Sequence, residues 1–205
     1  MHIDIWSDVV CPWCYIGVTR FERALAQFDG EVTIRLHPFQ LDPDAPVPGI
    51  PARRRYAAKF GDEAPAILER VTTEARGEGL TFDFDRAITA NTFDAHRAIA
   101  FARPRGRDRD LEKRLFRAYF TDGLDVSDRA ILADEGARTG LDRDQLAAYL
   151  ESDDGVDEVM RELNVAFERG ITAVPSFVFQ DEFLVPGAVD TASFLRILEQ
   201  MRAVR

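Results

Sequence analysis

The 205-residue chain has two cysteines, and both lie in one tetrapeptide, Cys11-Pro12-Trp13-Cys14. A C-x-x-C pair that follows an apolar strand-like run and opens a helical pattern is a dithiol redox signature. Unpaired backbone N–H groups and the macrodipole favour an anion at a helix N-terminus. Both stabilise a thiolate at Cys11, the form that attacks a disulfide. Cys14, one turn further in, is placed to attack the resulting mixed disulfide and release the product. The spacing predicts thiol–disulfide exchange, with Cys11 as nucleophile and Cys14 as resolving thiol.

Two other readings of the pair are weaker. A structural zinc site needs two more Cys or His ligands at suitable spacing. His2, His37 and His96 are the only imidazoles, and no two form an H-x3-5-H pair. No metal is expected. Unreactive core cysteines are common, but placement at a helix start after a strand speaks against them.

The elements that must hold the pair follow from periodicity. His2 to Trp6 reads as a short buried strand, with Ile3 and Ile5 on one face and Asp4 and Trp6 on the other. From Pro12 a helix begins, tolerating proline because a first-turn N–H is unpaired anyway. Ile16, Phe21, Leu25 and Phe28 carry its apolar stripe, and Asp29-Gly30 ends it. Val32, Ile34 and Leu36 alternate as a second strand, which makes a βαβ unit with a parallel pair.

Prolines at 43, 46, 48 and 51 mark Leu41 to Pro51 as a linker. A helical region follows, with stripes at Ile67, Leu68, Val71 and Ala75, then at Leu111, Leu115, Ala118 and Tyr119, then at Leu146 and Leu150. Thr81 to Asp85 is an extended connector between the first two. Ser127 and Asp142 read as N-caps, with Gln145 completing a box with the latter. Val156, Val159, Met160, Leu163 and Phe167 form another amphipathic face, and the helix stops at Gly170. Beyond Ile171–Pro175, the runs Ser176–Phe179 and Phe183–Val185 suggest a hairpin, and a last helix spans Thr191 to Met201 with Phe194, Leu198 and Met201 on one face.

The net charge of −10 and pI near 4.8 disfavour nucleic acid and anionic membranes as partners. No apolar run approaches the ~18–20 residues of a membrane span. Met1 leads almost directly into the first strand without a leader-like pattern. That, with no cysteine outside the motif, makes a cytoplasmic location the expectation.

The order βαβ, helices, then αββα resembles a thioredoxin fold interrupted by a helical insertion domain, as in the DsbA family. The resemblance extends to its FrnE-like branch. It rests on S-D-V-V-C-P-W-C-Y-I-G at Ser7–Gly17, P-F-Q-L-D-P at Pro38–Pro43, N-T-F-D-A-H-R at Asn91–Arg97, R-L-F-R-A-Y-F at Arg114–Phe120 and G-I-T-A-V-P-S-F at Gly170–Phe177. It implies an α/β chain with a thioredoxin-like domain in 1–45 and 156–205 and an inserted helical domain in 46–155. It also implies a protein disulfide reductase or isomerase whose active-site floor includes a cis-proline, here Val174–Pro175. Pro12 and Trp13 would support the pair. No cofactor is implied, with glutathione as a candidate redox partner. Substrates would be disulfide-containing proteins or small thiols.

Three features qualify the likeness. DsbA itself has histidine where this chain has Trp13, and an indole carries no charge and only one N–H donor. A less oxidising centre is therefore expected. Asp4 precedes the motif by about the distance at which thioredoxin-fold enzymes place a buried carboxylate beneath the second cysteine. It reads equally as an Asp on a solvent-facing strand edge. Asn91 and His96 lie in a segment shared with kappa-class glutathione transferases and 2-hydroxychromene-2-carboxylate isomerases, near whose substrate groove it lies. They read also as an N-cap and a core histidine. A glutathione-dependent isomerase or transferase on the same fold is the alternative function. Those relatives generally have serine in place of Cys11, so the intact dithiol argues against it.

Overall fold

Alternation along β1 (His2–Ser7) decides how the two faces of the sheet are covered. The computed structural model describes residues 1–203. In it β1 pairs in parallel with β2 (Thr33–Pro38), which it reaches through α1 (Pro12–Leu25). On its other edge β1 pairs antiparallel with β5 (Ser176–Phe179), and β5 pairs with β6 (Phe183–Pro186), giving the order β2-β1-β5-β6. Ile3 stands opposite Phe179 and Ile5 opposite Phe177, so these four side chains share one face. Phe21 of α1 and Phe194 of α9 (Thr191–Ala203) close on Phe177, with ring centres 5.1 and 4.7 Å away. The opposite face carries Trp6 and Val178, covered by Ala166 of α8 (Val156–Glu168) and by Ile171.

Between β2 and α8 lie a two-stranded antiparallel pair, β3 (Ile50–Pro51) with β4 (Ile88–Thr89), and six helices. The helices are α2 (Ala52–Phe60), α3 (Ala64–Gly77), α4 (Phe93–Ala102), α5 (Asp108–Arg117), α6 (Arg129–Arg138) and α7 (Arg143–Glu151). A π-helical turn over Ala118–Asp122 continues α5 and buries Tyr119 and Phe120. One stack of rings joins this layer to the motif helix. Tyr15 lies 4.9 Å from Phe116 and 5.8 Å from Phe82, and Phe82 lies 4.3 Å from Phe120. Apolar burial at ~25 cal/mol per Å2 makes such a cluster a substantial anchor for α1. Among the described residues, no helix is long and apolar enough to cross a membrane.

The thioredoxin fold with its helical insertion is the architecture observed; several local expectations differ. The buried stripe of α8 is Val159, Glu162 and Ala166, whereas Met160 and Phe167 are 48 and 86% exposed. The cause is the buried charge Glu162, around which the helix is turned. α1 ends at Leu25, short of Asp29-Gly30, and Phe28 follows it as a half-buried side chain against the core. The N-cap of α6 is Asp128, not Ser127, because the Asp128 carboxylate accepts from Ala130 N and Ile131 N. Ser127 instead donates its hydroxyl to Asp125. Asp142 does cap α7, accepting from Gln145 N. The linker contains β3, and its pairing with β4 carries no period long enough to show in sequence. Gln180 and Asp181 make the hairpin turn with φ of 54° and 62°, a left-handed conformation that Asp favours and Gln does not signal.

Candidate active site: the dithiol at the head of the first helix

Cys11 is the N-cap of α1, with φ −86° and ψ 114°. Its backbone N–H donates to the Asp8 carbonyl at 2.9 Å, and its own carbonyl accepts from Cys14 N at 3.1 Å. Its sulfur accepts a second interaction from Cys14 N at 3.3 Å. An N-cap side chain normally offers oxygen to these N–H groups. Here sulfur takes that place, and a thiolate there would be held by the same donor. From the other side the thiol donates toward the Val174 carbonyl at 3.7 Å.

Cys14 is fully buried. Burial pushes its pKa well up, reinforced by its hydrogen bond to the Cys11 sulfur and by negative charge there. Both thiols are free. The two sulfurs thus differ in kind: Cys11 opens on a cavity, and Cys14 is held protonated behind it.

The Val174–Pro175 peptide bond is cis. Pro175 is buried, and its carbonyl accepts from Gly187 N at 2.7 Å. Gly17, one turn past Cys14 on α1, allows this approach: a Cβ there would stand 2.9 Å from Pro175 Cγ and 3.3 Å from Ala188 Cβ. The motif helix and the Pro175 loop therefore meet through a missing side chain.

A cavity of about 280 Å3 adjoins Cys11, lined by the Cys11-Pro12-Trp13 segment, by Val174, and by Tyr56, Lys59 and Phe60 of α2 with Ile67 and Val71 of α3. Thr89 and Tyr119 close its floor, their hydroxyls 2.9 Å apart. Burial raises the pKa of the Tyr56 phenol far above its ordinary value, helped by Tyr119 and by charge on Cys11. Tyr56 therefore stays neutral in the cavity that Cys11 also lines.

The polar residues singled out from sequence fall elsewhere. Asp4 is neither beneath Cys14 nor on a solvent edge. It is 4% exposed on the sheet face of Trp6, where its carboxylate bonds to His37 Nε2 at 2.7 Å and His2 Nε2 at 3.1 Å. Burial works against its charge, but the His37 and His2 contacts hold its pKa below the usual range. His96 is 4% exposed, bonded to the Phe39 carbonyl at 3.0 Å, and does not reach the cavity. Asn91 also lies outside it. Its side chain accepts from Phe93 N at 2.9 Å and donates to the Pro43 carbonyl at 2.7 Å, tying the start of α4 to the proline-rich linker. The cap position itself is Thr92, and Asp94 in the first turn pairs with Arg97 and Arg129.

The acid closest in sequence to the dithiol is Asp8, which no motif in the sequence marks. It is fully buried, accepts from Leu41 N at 2.8 Å through Oδ2, and places Oδ1 3.6 Å from His96 Nε2. Glu112, also buried, accepts from the Ser7 hydroxyl, and burial pushes its pKa up to about 7. A carboxylate within the apolar stripe of α5, next to Leu111, was the available signal. Tyr56, Lys59 and Phe60 had none, since nothing in α2 points to Cys11 before the chain is folded.

Known proteins arrange the same elements. The family described as DSBA-like thioredoxin domain matches residues 2–199. A probable DsbA oxidoreductase from Streptomyces coelicolor is 33% identical, with a TM-score of 0.93 over 100% of this chain and 91% of that one. The uncharacterized protein YwbO of Bacillus subtilis is 29% identical over 192 residues, 92% of this chain and 90% of its own. The cytosolic disulfide reductase DsbM of Pseudomonas aeruginosa shares the fold at 19% identity, with a TM-score of 0.65 over 100% of this chain and 96% of its own. With the dithiol at the head of the helix after β1 and the helical layer inserted after β2, the chain belongs to the DSBA-like thioredoxin-domain family.

Proposed function

We propose that this protein is a cytoplasmic thiol–disulfide oxidoreductase working as a protein disulfide reductase or isomerase. The observation that carries the reading is the placement of Cys11 Sγ between Cys14 N at 3.3 Å and the Val174 carbonyl at 3.7 Å, open to a cavity that Cys14 does not line. The Cys11 thiolate attacks one sulfur of a substrate disulfide. A Cys11–substrate S–S bond forms, the substrate bond breaks, and one half leaves as a thiolate that takes a proton from water. Cys14 then passes its proton to water and attacks the Cys11 sulfur. The Cys11–Cys14 disulfide forms, the second half leaves as a thiolate, and two electrons have passed to the substrate. Two equivalents of a small thiol return the pair to the dithiol and leave joined as their own disulfide.

Glutathione is the small thiol we assign to that step. DsbM, which shares the fold, has also been solved with GSH. The exchange chemistry belongs to residues 1–45 and 156–205, and substrate selection to the insertion 46–155, which supplies most of the cavity wall. Val174 offers its backbone edge to the substrate beside Cys11, with Pro12, Trp13 and Pro175 supporting the pair. No metal or organic cofactor takes part.

Equilibration against glutathione buffers, read by Trp13 fluorescence or thiol content, tests the reading. The expected potential lies between about −180 and −270 mV, more reducing than the ~−120 mV of a strong oxidant. A pair that stays dithiol across the whole buffer range, or fails to lose two thiols on oxidation, overturns it.

A further inference from the structure

We propose that the cavity beside Cys11 selects small peptide disulfides that carry carboxylates, and that Lys59 is the residue that reads their charge. The inference rests on the exchange chemistry proposed above and names its substrate class. Helix α2, one wall of the cavity, has the sequence ARRRYAAKF, with four cations and no acid, in a chain whose net charge is −10. Two of those cations, Arg55 and Lys59, line the cavity. Arg55 is already engaged, its Nε donating to Asp42 Oδ2 at 2.8 Å, and Asp42 is the only acid in the lining. Lys59 pairs with no carboxylate among the described residues; its ammonium lies 5.5 Å from the centre of the Phe60 ring. The wall therefore presents one positive charge with no carboxylate partner, in the same cavity as a nucleophilic sulfur.

A volume of about 280 Å3 sets the size of the occupant. Small-ligand sites start at ~300 Å3, so the cavity is matched to the few residues that flank a disulfide. An acidic protein repels anions at range, so a carboxylate-bearing substrate is favoured only where a cation is uncovered locally. A neutral or cationic disulfide of the same shape gains nothing from Lys59. The bond changes are those already given: the substrate disulfide is reduced, the Cys11–Cys14 dithiol is oxidised, and each leaving thiolate takes a proton from water.

Single-turnover oxidation separates this idea from the chemistry beneath it. The reduced protein is mixed with the disulfide of glutathione or with the disulfide of its diethyl ester, and loss of protein thiols is followed. The readout is the ratio of the two second-order rate constants, acid over ester. We expect Lys59→Glu to lower that ratio about fivefold and Lys59→Gln by less, as for exposed charge pairs. Arg161→Glu, the same charge change at an exposed position of α8 on the other sheet face, should leave the ratio where it was. An equal ratio in wild type and Lys59→Glu, or an equal fall in Arg161→Glu, overturns the assignment. If neither disulfide oxidises the pair, the exchange reading itself fails.

Discussion

The Cys11 thiol lies 3.7 Å from the carbonyl oxygen of Val174, 163 positions further along the chain. That meeting follows from the register of β1 with β5, which sets Trp6 opposite Ser176 and so brings the two loops beyond them to one end of the sheet. The whole helical insertion lies between the two partners in sequence. An attacking sulfur supplied by the first helix and a backbone edge supplied by the last third of the chain make a site that neither segment holds alone.

The asymmetry of the two sulfurs gives the first expectation. Cys11 lines the cavity and Cys14 does not, and the Cys14 pKa is pushed well up by burial. Each unit of upward shift removes tenfold of the reactive thiolate. At neutral pH iodoacetamide should label Cys11 at least about tenfold faster than Cys14, with Cys14 reacting fully only after unfolding. Cys14→Ser should accumulate mixed disulfides with substrates, and Cys11→Ser should accumulate none. Peptide mapping of the labelled protein is the check, and equal rates at the two positions would remove the assignment of roles.

Gly17 gives the second. A Cβ at this position would meet Pro175 Cγ at 2.9 Å and Ala188 Cβ at 3.3 Å. Gly17→Ala gains up to ~1 kcal/mol of helix propensity, but overpacking a tight contact costs ~1–3 kcal/mol. The Pro175 ring is closed onto its own backbone and yields less than a long side chain would. We expect a net loss of up to about 2 kcal/mol in denaturant unfolding. Thiol–disulfide exchange should slow as well, since Pro175 is pushed away from α1. A variant more stable than wild type would show that the loop moves freely.

Much of this was legible in the sequence because it is periodic or local. Ile3 and Ile5 on one strand face, Phe21 on the motif helix and Phe194 on the last one all carry their burial in their spacing. The C-P-W-C pair announces its own chemistry. What stayed hidden depends on tertiary placement. Asp4 resembles a catalytic acid by its distance from Cys11 along the chain, but strand alternation turns it to the face opposite α1, where His37 meets it. Met160 and Phe167 fit a helical stripe, yet Glu162, bound by Arg35 and Arg103, rotates α8 so that the acid is inside and the apolar pair outside. The cavity wall from α2 shows no signal at all, since Tyr56, Lys59 and Phe60 matter only through where the linker delivers them.

Glu112 gives a pH dependence. Burial raises its pKa from 4.5 to about 7, and the Ser7 hydroxyl only partly offsets this. A folded-state value above the unfolded one means that the native state holds the extra proton between these limits. Its contribution is therefore present below about pH 4.5 and is lost as pH rises through 7. Glu112→Gln keeps the shape without the charge. Relative to wild type, its unfolding free energy should gain about 3 kcal/mol between pH 4.5 and 8, measured by urea unfolding across that range. Parallel stability curves for the two proteins would show that Glu112 does not titrate as placed.

Glu162 and His37 test the opposite face. Glu162 accepts from Arg35 and Arg103 at 2.9 Å each and lies 3.4 Å from His37 Nδ1, while His37 Nε2 bonds to Asp4 and its ring stacks on Trp6 at 4.4 Å. Burial opposes the charge on Glu162, but His37, Arg103 and Arg35 bring its pKa down to about 2. That contribution is present above pH 4.5 and is lost as pH falls toward 2. Burial likewise opposes the charge on His37, yet Asp4 and Glu162 raise its pKa, so its contribution is complete below 6.5 and fades once pH passes the raised value. The two windows overlap between pH 4.5 and 6.5. There Glu162→Gln should lose about 2 kcal/mol, below the ~3–5 kcal/mol of a wholly buried pair because Arg35 is half exposed. The His37 ring should then titrate at lower pH by NMR. Asp4→Asn should lower stability in the same window and leave the rate at which Cys14 resolves a mixed disulfide unchanged. A slowed resolution step would return Asp4 to the reaction, and an unchanged His37 titration in Glu162→Gln would break the cluster as drawn.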